Sequence, residues 1–256
     1  MQHHARKRFG QHFLQDNDVI DRIIAVIAPK KDQHIVEIGP GLGALTYKIL
    51  PHVLTFDVLE IDRDLAQNLQ QQIKPSPQFN LHVTDALGFD FTQLTPQPLR
   101  IVGNLPYNIS TPLLFHLLQQ RNIIQDMHVM LQKEVVERII AAPKSKNYGR
   151  LSVMLQYHYH ANKLFTVCAD AFDPQPKIDS AILRLVPHNN TSLTANDATT
   201  FSQVVKLAFT HPRKILSNNL QALLTPEQLR QLSIAPTQRP GELSVADYVT
   251  IANYLT

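Results

Sequence analysis

Apolar residues follow two different periods along the first 187 residues of this 256-residue chain. Short apolar runs between turn-forming residues predict strands, and apolar residues at intervals of three and four predict helices. The predicted strands cover 34–38, 53–59, 79–83, 99–102, 127–131 and 181–186. The predicted helices cover 17–27, 44–50, 62–73, 111–120 and 134–141. This alternation favours a parallel, doubly wound α/β sheet, closed by a hairpin between the last strand and a segment near residue 165.

The pattern changes after Pro187. Residues 188–197 are polar and turn-forming, and only helical patterns follow, at 201–209, 214–223, 226–232 and 245–254. We therefore predict an α/β domain over 1–187 with a basic N-terminal arm at 1–15, a linker at 188–198 and an all-helical domain over 199–256.

Composition is that of an ordinary globular protein, with 44% hydrophobic and 18% charged residues. The formal net charge of +3 permits a polyanionic partner without requiring one. Cys168 is the only cysteine, which excludes an intramolecular disulfide and a cysteine-based zinc cluster. No apolar run is long enough to span a bilayer, and no apolar signal core follows the basic N-terminus, so a cytoplasmic protein is expected.

Basic residues form three clusters: Arg6, Lys7 and Arg8; Lys144, Lys146 and Arg150; Arg213 and Lys214. Any one such cluster is usually just a solvated face, but three of them suit phosphate contacts that would position a nucleic acid without reading its sequence. His158 and His160 share a face at strand spacing, but no third ligand lies nearby in the sequence, so we expect no metal site.

A glycine-rich turn separates the strand at 34–38 from the helix that follows it. Gly39-x-Gly41-x-x-Ala44 allows the backbone to approach a nucleotide-like ligand, and Glu60, at the end of the next strand, can accept hydrogen bonds from ribose hydroxyls. This pair is as typical of a nicotinamide dehydrogenase as of an S-adenosylmethionine (SAM) enzyme, and a purely structural turn also fits it.

Asp85, after the third strand, favours the SAM interpretation. Its carboxylate can accept from the amino group of adenine, although a helix cap is an alternative role. Carboxylates at three successive strand ends, Glu37, Glu60 and Asp85, suit an adenosyl ligand with a positive sulfonium and would repel a pyrophosphate.

The stretch from Ile101 to Ser110 predicts a buried strand that ends in a rigid turn, with Ser110 as helix cap and Pro112 in the first helical turn. We expect the Asn104 side-chain carbonyl and the Leu105 backbone carbonyl to accept both N–H bonds of an adenine amine, which restores its nucleophilicity. Pro106 would fix this geometry. The ring of Tyr107 would stack on the base, and no strong general base is needed.

These motifs resemble those of the small-subunit ribosomal RNA adenine-N6 dimethyltransferases, the KsgA/RsmA family. The similar segments are 6–14, 36–46, 59–62, 103–111, 131–135, 148–153 and 172–180. The resemblance implies a Rossmann-like class I SAM-dependent methyltransferase sheet over 1–187, with a small C-terminal all-helical domain that helps to dock the ribosomal subunit. It implies that the monomer dimethylates two adjacent adenosines in a hairpin near the 3′ end of 16S rRNA during small-subunit biogenesis.

The resemblance also implies site residues. The SAM site would comprise His12, Leu14, Gly39, Glu60, Asp85 and Asn104, and Tyr107 and Phe172 would sandwich the target adenine. Two positions depart from the family pattern. His12 stands where asparagine is usual, so SAM affinity is expected to fall at acidic pH if the imidazole gains a proton. Gln175 interrupts a run of prolines, which predicts a less rigid loop after Phe172.

Three other functions compete with this one. An enzyme with the same chemistry could act on large-subunit rRNA and confer antibiotic resistance. A non-catalytic assembly or transcription factor could keep the fold, but Asn104, Pro106 and Tyr107 argue for retained catalysis. A nicotinamide oxidoreductase is the third alternative.

Overall fold

A computed structural model describes residues 11–188 and 194–256. The Arg6–Lys7–Arg8 cluster and residues 189–193 of the predicted linker lie outside the described residues. The chain divides into two compact units: the described residues of Met1–Val136 with Asn162–Pro187, and Glu137–Ala161 with His188–Thr256. This division differs from the predicted boundary at residue 187, because Glu137–Ala161 groups with the C-terminal helices.

The strands are β1 (Phe13–Leu14), β2 (His34–Ile38), β3 (Thr55–Glu60), β4 (Phe79–Val83), β5 (Leu99–Asn104), β6 (Ile124–Gln132), β7 (Tyr159–Val167), β8 (Phe172–Asp173) and β9 (Ser180–Pro187). The helices are α1 (Asn17–Ile27), α2 (Thr46–Ile49), α3 (Arg63–Gln72), α4 (Ser110–Gln119), α5 (Lys133–Ile139), α6 (Arg150–His158), α7 (Ala198–Ala208), α8 (Leu216–Asn219), α9 (Pro226–Gln231) and α10 (Val245–Tyr254).

The main sheet has seven strands in the order β4-β3-β2-β5-β6-β9-β7. Strands β2 to β6 pair in parallel, whereas β9 runs antiparallel to β6. The sheet is therefore mixed, and the antiparallel pairing of β9 with β6 was not part of the prediction. The predicted pairing of the last strand with a segment near residue 165 is confirmed, since β9 lies beside β7. The carboxyl ends of β2, β3, β4 and β5 meet at one edge.

Helix α1 shows how the sequence pattern becomes structure. The Asp16 carboxylate accepts the N–H groups of Asp18 and Val19 at 2.9 and 3.1 Å, as an N-cap should. Ile20, Ile23 and Ile27 are buried at the spacing of one helix face. The predicted helix is confirmed.

Helix α6 and the start of β7 are absent from the predicted elements. The alternation of Tyr157, His158, Tyr159 and His160 resembles a strand, but the Tyr159 N–H still donates to the Leu155 carbonyl, so the helix continues to His158. His158 and His160 therefore belong to different elements and share no strand face, which corrects their predicted placement.

The second unit is mainly helical. Helix α7 packs on α10, and the rings of Tyr157 and Phe201 lie 4.1 Å apart between centroids. The Tyr248 hydroxyl donates to the Pro240 carbonyl at 2.7 Å. In the described parts of both units, no helix is both long and apolar enough to cross a bilayer.

Gly103 allows β5 to lie close to β2 at the edge where the polar loops meet. A Cβ atom at this position would come within 2.3 Å of the Ile38 carbonyl oxygen, which is backbone and has little room to move. A side chain at this position would therefore separate the two central strands.

We expect Gly103→Ala to lower the free energy of unfolding by about 2–3 kcal/mol, because the added methyl group overpacks the strand pair. Urea denaturation measures this loss. Gly88→Ala is the matched control, since a Cβ there meets nothing within 4 Å. Equal stability of the two variants would contradict the close approach.

Candidate functional site

A pocket opens at the carboxyl ends of β2, β3, β4 and β5. Its walls are formed by residues 11–14, 37–42, 44–45, 59–61, 65, 84–86 and 104–109. This set contains every residue predicted to bind the cofactor, which are His12, Leu14, Gly39, Glu60, Asp85 and Asn104, and also Leu105, Pro106 and Tyr107. The topology thus brings together residues as far apart in the sequence as His12 and Tyr107, which are separated by 95 positions.

The glycine turn after β2 has the open backbone that the sequence predicts. Gly39 and Gly41 have φ values of +69° and +60°, in the left-handed region that favours glycine. A Cβ on Gly41 would lie 3.0 Å from the Phe13 ring, so a side chain at this position would press against that ring. The backbone itself forms this wall of the pocket.

Glu60 is buried at the end of β3 and is fixed by two backbone groups. Its carboxylate accepts the Asp62 N–H at 2.9 Å and the Gly41 N–H at 3.3 Å. Burial raises the pKa of Glu60 above its ordinary value, and the two N–H donors limit that rise. The carboxylate is therefore pre-positioned as an acceptor for hydroxyl groups.

Glu37 is the most perturbed acid of the pocket. It is 1% exposed, and the Thr46 hydroxyl donates to its carboxyl at 2.6 Å. Burial raises the pKa of Glu37 to about 8, with a smaller contribution from Glu60. Glu37 is thus mostly protonated and uncharged at neutral pH. Of the three acids that were expected to attract a sulfonium, Glu60 and Asp85 are the two that can contribute a negative charge.

Asp85 organises the turn after β4. One carboxylate oxygen accepts the Leu87 N–H at 2.9 Å, and the Asp85 carbonyl accepts the Gly88 N–H at 3.1 Å. The side chain is exposed and lines the pocket. Because a carboxylate has two oxygens, Asp85 can hold its turn and still accept a bond from a ligand.

Asn104 is the last residue of β5, two residues beyond the predicted strand end. Its Nδ2 donates to the His12 carbonyl at 3.0 Å. Because that carbonyl can only accept, the amide orientation is determined, and Oδ1 is the end left to accept a bond. The pocket therefore has a fixed side-chain acceptor where the sequence predicts one.

The rest of the turn is held by backbone bonds. The Leu105 N–H donates to the Met130 carbonyl, and the Ile109 N–H donates to the Pro106 carbonyl, both at 3.1 Å. Ser110 was predicted as the helix cap, which is wrong. Ser110 is the first residue of α4, and its hydroxyl donates backwards to the Tyr107 carbonyl at 3.2 Å.

The Tyr107 ring is held at its end and on one face. Its hydroxyl lies 2.7 Å from the Ser180 hydroxyl, and its ring stacks on His12 with centroids 5.6 Å apart and planes at 26°. Burial raises the pKa of Tyr107 above its ordinary value, so the hydroxyl stays neutral at physiological pH. The side chain offers a flat face, not a base.

The N-terminal segment Gln11–Leu14 crosses the pocket and bonds to several loops. Gln11 donates to the Asp62 carboxylate at 3.1 Å, and β1 pairs with β8, with Leu14 opposite Phe172. His12 Nδ1 donates to the Pro174 carbonyl at 2.6 Å. The resemblance implied that His12 and Leu14 belong to the site, but no sequence pattern indicated these bonds.

Phe172 is placed differently from the other predicted site residues. It is 4% exposed, packs in the main core and does not line the pocket. Its strand pairs with β1, where Leu14, another residue of the same core, lies opposite Phe172. The predicted sandwich of a base between Tyr107 and Phe172 stays a prediction, and the ring stacked beside Tyr107 is that of His12.

In the two described stretches of the chain, no group of three or more histidine, cysteine, aspartate or glutamate side chains is placed to hold a metal ion. Cys168 is exposed in this structure.

Comparison with known proteins gives one family. The model of the family described as ribosomal RNA adenine dimethylase matches residues 2–256. Proteins named Ribosomal RNA small subunit methyltransferase A are similar over nearly the whole chain. That of Chromohalobacter salexigens is 53% identical, covering 99% of this chain and 92% of the relative. That of Dechloromonas aromatica is 50% identical, covering 99% of each.

Solved structures share the fold. A dimethyladenosine transferase from Plasmodium falciparum has a TM-score of 0.81 at 24% identity, covering 94% of this chain and 96% of that one. The 23S rRNA methyltransferase ErmE has a TM-score of 0.73 at 24% identity, covering 95% and 99%. These similarities confirm the predicted α/β methyltransferase architecture.

We expect Glu37→Gln to stabilise the protein at alkaline pH. Because the folded-state pKa of Glu37 is raised from 4.5 to about 8, the wild type loses stability as pH rises between these values. Glutamine does not ionise and avoids this loss, so the variant should gain about 2–4 kcal/mol over the wild type at pH 9 relative to pH 5.

Thermal or urea unfolding at both pH values measures the difference. The exposed Glu134, replaced by glutamine, serves as the control for the loss of one negative charge. A pH-independent difference between Glu37→Gln and the wild type would show that Glu37 is ionised in the folded protein.

Proposed function

Because this chain belongs to the ribosomal RNA adenine dimethylase family, we propose that it methylates adenosines of 16S rRNA. Methyl groups from SAM would pass to N6 of two adjacent adenosines in a hairpin near the 3′ end, two to each, during small-subunit biogenesis. Support for the small subunit as substrate comes from relatives that are 53% and 50% identical to this chain and are named Ribosomal RNA small subunit methyltransferase A. Likeness to ErmE, at 24% identity, shows the fold alone. Family membership removes the nicotinamide oxidoreductase from consideration.

The pocket edge provides the groups that SAM requires. Glu60 would accept hydrogen bonds from the ribose hydroxyls of SAM, and Asp85 would accept one from its adenine amino group. The open backbone at Gly39 would leave room for the rest of the SAM molecule. His12 and Leu14 would close the pocket from the N-terminal segment. SAM supplies an electrophilic methyl group on a positive sulfonium when it is bound.

The observation that carries the proposal is the bond from Asn104 to the His12 carbonyl, because it aims Oδ1 as an acceptor. Oδ1 and the Leu105 carbonyl would accept the two N–H bonds of the target amine and favour a pyramidal nitrogen. The amine then forms a bond to the methyl carbon as the sulfur–carbon bond breaks. The alkylated nitrogen is acidic and releases its proton to water, so no strong base is needed.

The target adenosine must leave its stack to enter the pocket, which costs a few kcal/mol and is easier in a loop. Stacking on Tyr107 would return about 1–3 kcal/mol of this. The base would be held by stacking and by the two hydrogen-bond acceptors, and any unstacked adenine can make these contacts. The choice of two particular adenosines therefore depends on how the enzyme docks on the folded subunit.

Docking would use basic side chains of the second unit. Lys144, Lys146, Arg150, Arg213 and Lys214 are exposed, as phosphate contacts require. Such contacts position RNA and weaken with added salt. The enzyme would act as a monomer in the cytoplasm, where ribosomal subunits are assembled, and its chemistry needs no metal.

Substrate choice can be tested directly. We expect labelled methyl groups to pass from SAM to small subunits isolated from cells that lack this gene, and N6,N6-dimethyladenosine to form. Naked large-subunit rRNA should receive none. The reverse preference would favour the large-subunit enzyme, and no transfer to either would favour a non-catalytic factor.

We expect Asn104→Ala to lower the rate of methyl transfer at least about 100-fold, as removal of a transition-state hydrogen bond does. Binding to small subunits should stay within about twofold, because phosphate contacts dominate it. Asn80→Ala, an exposed asparagine of β4, is the control.

Asn104→Asp separates the acceptor from the bond that aims it. The carboxylate keeps the acceptor oxygens but meets the His12 carbonyl with another acceptor, so methyl transfer should also fall. Wild-type activity in Asn104→Ala would contradict the proposed role of Asn104 as an acceptor. Wild-type activity in Asn104→Asp would show that the hydrogen bond to the His12 carbonyl is not needed.

A further inference from the structure

The hydroxyl groups of Tyr107 and Ser180 form a hydrogen bond that has no role in the proposed chemistry. They lie 2.7 Å apart, and Ser180 is 0% exposed. Methyl transfer needs the flat ring of Tyr107 as a stacking surface, and the hydroxyl neither accepts the amine proton nor contacts the donor in the proposed reaction. A buried serine directed at this hydroxyl therefore requires another explanation.

Ser180 is itself rigidly placed. It begins β9 and pairs with Gln132 at the end of β6, and next to it the Lys133 N–H donates to the Asp179 carbonyl at 3.0 Å. Tyr107, in contrast, lies in the turn after β5. The hydroxyl bond thus ties the turn to a strand that is fixed by the antiparallel part of the sheet.

The turn alone does not fix the Tyr107 ring. Backbone bonds hold the peptide groups of Leu105 and Ile109, but an aromatic side chain still rotates about two torsions. His12 covers one face of the ring at 5.6 Å between centroids. The Ser180 bond restrains the far end, so the ring plane is held at its tip and on a face before a base arrives.

We propose that Ser180 is a positioning residue for methyl transfer, which sets the plane of the Tyr107 ring against which the target adenine is aligned. The proposal rests on the proposed function. It predicts that loss of the Ser180 hydroxyl affects the orientation of the base more than the binding of SAM, because Ser180 does not line the pocket.

The second methyl transfer should depend on Ser180 more than the first. After the first transfer, the amine carries one methyl group and one hydrogen, so only one of the two acceptors still binds an N–H. The second step again breaks the sulfur–carbon bond of SAM, forms a nitrogen–carbon bond and releases one proton to water. With one hydrogen bond fewer, the orientation of the base depends more on the ring plane.

The test compares Ser180→Ala, Tyr107→Phe and the double variant on small subunits from cells that lack this gene. Mass spectrometry of the digested rRNA gives the amounts of N6-methyladenosine and N6,N6-dimethyladenosine over time. We expect each single variant to slow the second transfer about three- to tenfold, the range of one net hydrogen bond, and monomethylated product to accumulate. The double variant should be no worse than either single variant.

Controls separate positioning from damage. Ser152 is as buried as Ser180 but donates to the Arg138 carbonyl, so Ser152→Ala reports a lost buried hydrogen bond that does not involve Tyr107. It should leave the product ratio unchanged. SAM affinity, measured by calorimetry, should match the wild type in Ser180→Ala and Ser152→Ala, which would show that these two variants are folded.

Three results would overturn the inference: an unchanged product ratio in Ser180→Ala, additive losses in the double variant, or the same change in Ser152→Ala. If Ser180→Ala does not bind SAM, Tyr107→Phe tests the same bond from its other side. Wild-type enzyme that forms neither methylated adenosine would instead reject the proposed function itself.

Discussion

The hydrogen bond from Asn104 Nδ2 to the His12 carbonyl is the interaction on which the site depends. It joins the end of the central strand β5 to the N-terminal segment, and it decides which end of the amide faces the ligand. Without it, Asn104 could present a donor where the proposed reaction requires an acceptor. Neighbouring hydrogen bonds hold the same segment, because the His12 ring donates to the Pro174 carbonyl and the Gln11 side chain donates to the Asp62 carboxylate.

The sheet makes this arrangement possible by bringing four strand ends to one edge. Gly103 allows β5 to approach β2 closely, and Gly39 and Gly41 allow the turn after β2 to adopt its left-handed backbone conformation. The acids at this edge then differ by environment. Glu37 is buried and protonated at neutral pH, whereas Glu60 is held by backbone donors and Asp85 is exposed. The same edge of the sheet thus carries an uncharged Glu37 beside two acids, Glu60 and Asp85, that can accept hydrogen bonds from a ligand.

Sequence patterns predicted the parallel strands, the glycine turn and the Asn104–Tyr107 turn, because each depends on residues close together in the chain. They did not predict the antiparallel place of β9 against β6, the extent of α6, or the core position of Phe172, which tertiary packing decides. The bonds of the N-terminal segment also escaped prediction. The Asn104–His12 hydrogen bond joins residues that are 92 positions apart. Because its acceptor is a backbone carbonyl, which every residue has, the residue type at position 12 does not reveal it.

The most direct test of the account is to map modified adenosines in rRNA from cells with and without this gene. Two adjacent N6,N6-dimethyladenosines near the 3′ end of 16S rRNA should be present with the gene and absent without it. A plasmid copy should restore them, and a copy with Asn104→Ala should not. Unchanged 16S modification in cells without the gene, or a loss confined to large-subunit rRNA, would contradict the account.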